Sequence, residues 1–335
     1  MFTDEFLNRI SHLLAIKKGW ESEAGDAYFK KRQELADTAD EKTRKGMFNI
    51  MRNIATQMET ATSAFTFTNP QPRVLDLCMA PGGYVDRFLK QNPSGLADAI
   101  TLPVAYGGHH VIVQPSNRLQ ITYADLTMFA AELGCHNIPE DHPEADGLRA
   151  TWPYPAHLYD LTICDGQHLR THPVLKYRES HEQSRLFCAQ LVLALSKIRT
   201  GGTLITLLHA SHRWPTFSLI RTFNKFSDVH IFKPQPFHKI KSSFYLVAKN
   251  IRPQSQEAIK AAERFRQDWL RHTVPDPTAS VEGSEADAEK NEGGDELSDG
   301  EVEAMLQDFG AQYKELMQTV WKIQTAALEN PPWMN

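Results

Sequence analysis

Apolar positions follow two rhythms along the chain, one of strand type and one of helical type. Val74, Leu75 and Leu77 make a short apolar run around Asp76, suited to a parallel strand covered on both faces. Gly82 and Gly83 then mark a tight turn, and Tyr84, Val85, Phe88 and Leu89 recur at helical spacing. Residues 73–90 therefore read as strand, turn and helix, with the exposed amides of the helix start available to a polar ligand. Two further apolar runs end in acids, TYADLT at Asp125 and YDLTICDG at Asp165. A helical pattern over 186–198, a stop at Gly201-Gly202, a strand over 203–208, a helix over 214–226 and strands over 229–232 and 244–248 complete an α/β pattern. In such sheets ligands bind beyond the carboxyl ends of the strands, so Asp76, Asp125 and Asp165 share one candidate edge. The alternative for each is a helix cap.

Outside this pattern, Phe2, Phe6, Ile10, Leu13 and Leu14 form one helical stripe, and Met47, Met51, Ile54 and Met58 another. Between them Lys30, Lys31, Arg32, Lys42, Arg44 and Lys45 form either a nucleic-acid face or a solvated helix with paired charges. Residues 134–157, with Pro139, Pro143, Pro153 and Pro155, show no period and predict a surface insertion that shapes substrate access. Residues 281–303 hold ten acids and one lysine among interspersed glycines, the signature of a disordered linker. Beyond it Val302, Leu306, Phe309, Tyr313, Leu316, Val320, Ile323 and Ala327 alternate steps of four and three. That seam suits either self-association or docking onto the parent domain, and Gly310 and the seam aromatics favour docking.

Composition narrows the field. The chain has 335 residues, 41% of them hydrophobic, enough for one large domain with appendages. Its apolar runs are too short to span a membrane, and a soluble protein of the cytoplasm or nucleus is expected. Cys78, Cys135, Cys164 and Cys188 are widely spaced and read as reduced core residues; no CxxC pair points to zinc, so no metal is expected. The net charge is −5, of which the acidic linker carries −9, leaving +4 elsewhere; that balance is compatible with RNA.

The wording LDLCMAPGG resembles motif I of the FtsJ-like, Rossmann-type methyltransferases; GxGxxG is absent and no P-loop lysine follows the glycines. The segments FKKRQELAD, ITLPVAYGGHH, ICDGQHLRTH and KSSFYLVAKN are similar to the FtsJ-domain proteins of filamentous fungi. The resemblance implies a Rossmann-like sheet with helices on both faces. It also implies S-adenosylmethionine (SAM) as cofactor, held by Asp76, Ala80, Pro81, Gly82, Gly83 and Asp125, with Asp165 between methyl donor and acceptor. The family methylates RNA ribose 2′-hydroxyls with a Lys-Asp-Lys-Glu set, of which only Asp165 is matched here. Thr206, Leu207 and Leu208 stand where the central lysine belongs, Ser243 where the glutamate belongs, and Thr101 where an acid often grips the ribose. An alcohol needs a proton acceptor before it attacks. His209, Lys239 and Lys241 are the candidate replacements, with His209 and Lys241 joining Asp165 in the catalytic set; a structural histidine and solvated lysines are the alternatives.

The expected organisation is a helical extension over 1–66, an FtsJ-like domain over 67–272, an acidic linker over 273–301 and a heptad helix over 302–328. The expected function is a SAM-dependent methyltransferase, of RNA 2′-O type with a degenerate tetrad. A catalytically inactive module binding RNA or protein is the alternative, and small-molecule O- or N-methylation a third.

Overall fold

The computed structural model describes residues 41–168, 172–274 and 298–329, with isolated helical positions at 23, 27, 28, 30 and 31. The Phe2 to Leu14 stripe, Arg32 of the basic run and the linker up to residue 297 lie outside the described residues. Among the described residues, six helices longer than one turn flank a sheet: α1 (Glu41–Thr62), α2 (Gly83–Gln91), α3 (Glu182–Lys197), α4 (Trp214–Asn224), α5 (Gln256–Thr273) and α6 (Asp299–Leu328). The strands are β1 (Arg73–Asp76), β2 (Leu96–Thr101), β3 (Leu119–Tyr123), β4 (Tyr159–Cys164), β5 (Ile198–Leu208), β6 (Asp228–Phe232) and β7 (Phe244–Lys249).

The seven strands lie in the order β3-β2-β1-β4-β5-β7-β6. All pairings from β3 to β5 are parallel; β7 inserts antiparallel between β5 and β6. Strand pleating sends alternate residues to two cores. Leu204, Leu208, Phe244, Leu246 and Ala248 face α3, α4 and α5, whereas Ile205, Leu207, Tyr245 and Val247 face α1 and α2. Burial on both faces explains why these strands read as continuous apolar runs.

The helices on the two faces of the sheet bury apolar stripes. In α1, Ile54, Ala55 and Met58 are buried, and Lys45 pairs with Glu41 at 2.6 Å, the solvated-helix reading of that charge. The α3 residues 188–195 are all buried, since the helix is wedged between the sheet and α5. Ser255 caps α5 by accepting from the Ala258 amide, and Ala258, Ala261, Ala262, Phe265 and Trp269 form its inner stripe.

One local expectation is corrected. The glycine pair 201–202 does not separate helix from strand: α3 ends at Lys197 and β5 begins at once, with Gly201 and Gly202 inside it, bonded to Ile251. Residues 134–157 run over the surface as expected but are anchored in the core at a few points. Leu148, Trp152 and Tyr154 are buried in the α3 and α5 core, and buried His142 meets the Thr273 carbonyl at 2.8 Å. Aromatic burial outweighed the proline content there.

The C-terminal helix is docked on the domain. Phe309 and Tyr313 pack edge-on against Phe217 of α4, and Arg221 pairs with Asp308 at 2.7 Å. Its buried face runs Phe309, Gly310, Tyr313, Met317, Val320, Trp321, Gln324 and Leu328, so the second half is rotated from the predicted seam. A straight helix drifts about 20° per heptad from a strict seven-residue repeat, which moves Met317 and Trp321 inward in place of Leu316 and Ile323.

At the amino-terminal end of the sheet, buried Asp98 accepts from Arg73 at 3.1 Å and Tyr159 at 3.0 Å and lies 2.7 Å from His157 Nδ1. Helices α1 and α2 meet where Gly83 has no side chain. A Cβ there would lie 2.5 Å from Met51 Cβ and 2.6 Å from the Phe48 carbonyl oxygen. Gly83→Ala therefore forces α1 outward and is expected to cost about 2 kcal/mol, the scale of overpacking. Urea denaturation measures it, and unchanged stability would refute this account of the helix contact.

Candidate active site

Motif I leaves β1 at Asp76 and enters α2 at Gly83, with Gly82 as helix cap at φ 101°. Ala80 and Pro81, joined by a cis peptide bond, form the turn, and the Pro81 carbonyl accepts from the Ile112 and Val113 amides. The loop after β2 thus folds back over motif I. The side-chain direction of Gly83 is taken by α1, which leaves only its backbone for a ligand. Gly82 likewise faces protein, with Met79 and Val113 within 3 Å of a Cβ there.

Asp76 ends β1 and Asp165 directly follows its parallel neighbour β4, while Asp125 lies two residues past the end of β3. The Cys78 thiol lies within electrostatic reach of Asp76, Asp125 and Asp165, and burial followed by these charges pushes it well up. Asp76 is 1% exposed; its Oδ1 accepts weakly from the Cys78 amide at 3.3 Å, and Oδ2 is buried with no partner among the described residues. Desolvation raises its carboxyl to about 8, and nearby Asp165 adds to the rise. Asp165 is raised by burial to about 7 despite Tyr84, Tyr245 and Lys241, which favour its ionised form.

Asp125 fulfils the capping alternative with one oxygen. Oδ1 accepts from the Thr127 amide at 2.9 Å and hydroxyl at 2.6 Å, capping the 3₁₀ turn Leu126–Met128, while Oδ2 lies 3.8 Å from Arg178. Fully buried Arg185 holds Thr127 in turn, donating to its hydroxyl at 2.7 Å.

Several contributors were not legible in the sequence. Tyr84 and Tyr245 share a hydroxyl hydrogen bond of 2.6 Å, and Tyr245 donates to Asp165 at 3.3 Å. Gln190, at 0% exposure in α3, grips Gly166 on both sides: its carbonyl accepts from the Gly166 amide at 2.9 Å and its amide donates to the Gly166 carbonyl at 3.1 Å. Lys233 at the end of β6 donates to the Lys241 and Ser243 carbonyls at 2.5 and 2.9 Å, fixing the loop that carries Lys241. Spacing gives no signal for contacts so distant in sequence; the aromatic after the glycine pair was the one available hint.

Thr206, Leu207 and Leu208 are buried in β5, so no proton acceptor comes from that strand end. Ser243 bonds His238 at 3.0 Å, and that imidazole stacks on Tyr245 and is pushed down to about 3 by burial, Lys241, Lys233 and His209. His209 is solvent-exposed yet held below its ordinary value by partial desolvation and by Lys241 and Lys233. Lys241 therefore lies within electrostatic reach of Asp165, His209 and His238 together. Lys239 is exposed on the same loop. No group of three metal-binding side chains occurs among the described residues, and the four cysteines are free.

This edge of the sheet is of methyltransferase type, and the sequence match agrees. The model of the FtsJ-like methyltransferase family covers residues 54–251, more than half of the chain. The protein belongs to that family, whose cofactor is S-adenosylmethionine. No curated protein matches the sequence. Similar solved structures include a ribosomal RNA methyltransferase from Plasmodium falciparum, 17% identical, covering 59% of this chain and 96% of that one, with a TM-score of 0.37. Human methyltransferase-like protein 13 in complex with SAH is 15% identical, covering 70% and 98%, at 0.37. The fibrillarin/Nop5p complex is 13% identical, covering 60% and 83%, at 0.39.

The residues present fit that cofactor at its cationic end. Asp76 is a buried carboxyl with an orphaned oxygen among the described residues, and a sulfonium or ammonium group would suit it as a partner. Thr101, buried at the end of β2, offers no carboxylate to a ribose.

The raised carboxyls set a pH dependence. Folded Asp76 keeps its proton up to about pH 8, whereas an unfolded chain loses it near 3.8, so stability falls as pH rises from about 4 to 8. Asp76→Asn removes this term. Its stability relative to the parent is expected to grow by roughly 1 kcal/mol per pH unit across that window, measured by denaturation at pH 5, 6.5 and 8. A pH-independent difference would contradict a neutral buried Asp76.

Proposed function

We propose that the protein methylates a ribose 2′-hydroxyl of RNA, using a rearranged set of residues in place of the family's lysines and glutamate. The observation that carries this reading is one of sheet geometry: Asp165 directly follows β4 and His209 directly follows β5, its parallel neighbour, while Lys241 lies on the loop leading into β7, whose Phe244 pairs with Leu208. When bound, SAM supplies a methyl group on a sulfonium that leaves as a neutral thioether. Asp76 would balance the positive methionine end, the 80–83 turn would back it, and Asp125 would meet the adenine side.

Asp165, tied through Tyr245 to Tyr84, would orient the acceptor hydroxyl. Most of the barrier is alignment, which fixed buried side chains provide. Desolvation, and after it Lys241 and Lys233, hold the His209 imidazole below its ordinary value, so the neutral form is available to take the ribose proton. The Lys241 ammonium would offset charge developing on the attacking oxygen. Exposed Arg213, Lys239 and Lys241 flank this point and suit phosphates of a polynucleotide.

The second reading, a binding module without catalysis, is favoured by one observation: β5 delivers Thr206, Leu207 and Leu208 where a lysine would accept the proton. Calorimetric titration with SAM and transfer of labelled methyl groups to total RNA separate the two. Binding with transfer is expected, the rate falling at least 100-fold in His209→Ala and declining below pH 6.5 as the imidazole takes a proton. Binding without transfer to RNA would establish the module reading.

A further inference from the structure

The loop joining β5 to α4 carries His209 and is held from a part of the chain that the family match does not reach. The match ends at residue 251, whereas α6 begins at Asp299. Two polar groups of α6 reach one buried residue of that loop, Ser211, which is 4% exposed. The Tyr313 hydroxyl donates to the Ser211 carbonyl at 2.5 Å, and Trp321 Nε1 donates to the Ser211 hydroxyl at 2.9 Å. Tyr313 and Trp321 are themselves buried and touch edge-on, so these donors sit in an apolar layer where an unmade hydrogen bond is costly.

Between His209 and Ser211, Ala210 adopts φ 50°, the left-handed region that a residue with a Cβ avoids at a cost of about 1 to 2 kcal/mol. Such a conformation persists only where the surroundings impose it. From α4, the Thr216 hydroxyl donates to the His209 carbonyl at 2.9 Å, and the Arg213 amide donates to the Ala210 carbonyl at 2.9 Å. The pair of bonds from α6 adds a further hold on the segment.

We propose that Tyr313 and Trp321 are positioning residues for His209, so that the C-terminal helix completes the catalytic edge by fixing the 209–213 loop. The proposal rests on the methyltransferase reading for its effect on rate, and on geometry alone for its effect on His209. Docking of α6 is thus coupled to the site through Ser211, whereas the turn of motif I, from Met79 to the start of α2 at Tyr84 and Val85, packs in the other core.

The test uses the full chain carrying Tyr313→Phe and Trp321→Phe, which remove the two donors and keep aromatic bulk. Ser211→Ala, which deletes the accepting hydroxyl from the loop side, serves as the independent variant. The His209 ring is followed by NMR titration, alongside SAM affinity by calorimetry, methyl transfer to total RNA and thermal unfolding. The expected result is a His209 midpoint that moves up towards 6.5 and a kcat lowered at least tenfold, with SAM affinity unchanged. A His209 titration identical to the parent's overturns the inference. So does a loss of SAM affinity in proportion to kcat, which would mean general destabilisation. A shifted His209 titration with undiminished transfer upholds the coupling and removes His209 from the reaction, so the two readings fail separately.

Discussion

The active edge depends on how closely the loops leaving β1 and β4 approach each other. Gly166 follows Asp165, and a Cβ on it would lie 2.2 Å from the Cys78 sulfur and 2.8 Å from Gln190 Oε1. No methyl group fits there. Because the gap is closed, Asp76 and Asp165 are drawn out of water together, and the buried amide of Gln190 secures the arrangement by bonding both polar groups of Gly166. Desolvation then does what a catalytic pocket needs, shifting two carboxyls far from their aqueous behaviour.

Much of the architecture was legible because it follows from local rules. Period-two and continuous apolar runs marked the strands, and the 3.6 period marked α2, α3 and α4, since burial on two faces leaves no other pattern. The acids at 76, 125 and 165 were found by their position at strand ends. What was missed depends on distance in sequence. Tyr84 meets Tyr245 across 161 positions, and Gln190 meets Gly166 from the far side of α3. Gly83 was read from the family use of the motif; the helix that takes its side-chain direction lies more than twenty residues upstream. Trp152 and Tyr154 were lost in a proline-rich stretch whose period was too short to show burial.

The departures from the family pattern have a common physical sense. With leucines at the end of β5, the candidate polar groups stand on connections: Lys241 on the loop between β6 and β7, and His209 on the loop after β5. A loop position must be held by something else. Lys233 performs that service for the first by bonding two carbonyls, and α6 performs it for the second. The burden of precision has passed from strand geometry to tertiary hydrogen bonds.

The antiparallel entry of β7 carries one more implication. Phe244 and Tyr245 are adjacent, nearly equal in volume, and point into opposite cores, one beside α4 and the other beside α2. Sliding this strand by a single step against its neighbours would exchange them, and apolar packing would scarcely register the swap. The polar atoms oppose the swap: in the wrong frame the tyrosine hydroxyl would be stranded among hydrocarbon, away from Tyr84 and Asp165, and Ser243 or Lys249 would take a position now filled by Phe244 or Ala248. The same contact that orders the reaction centre thereby acts as the proofreader of strand alignment.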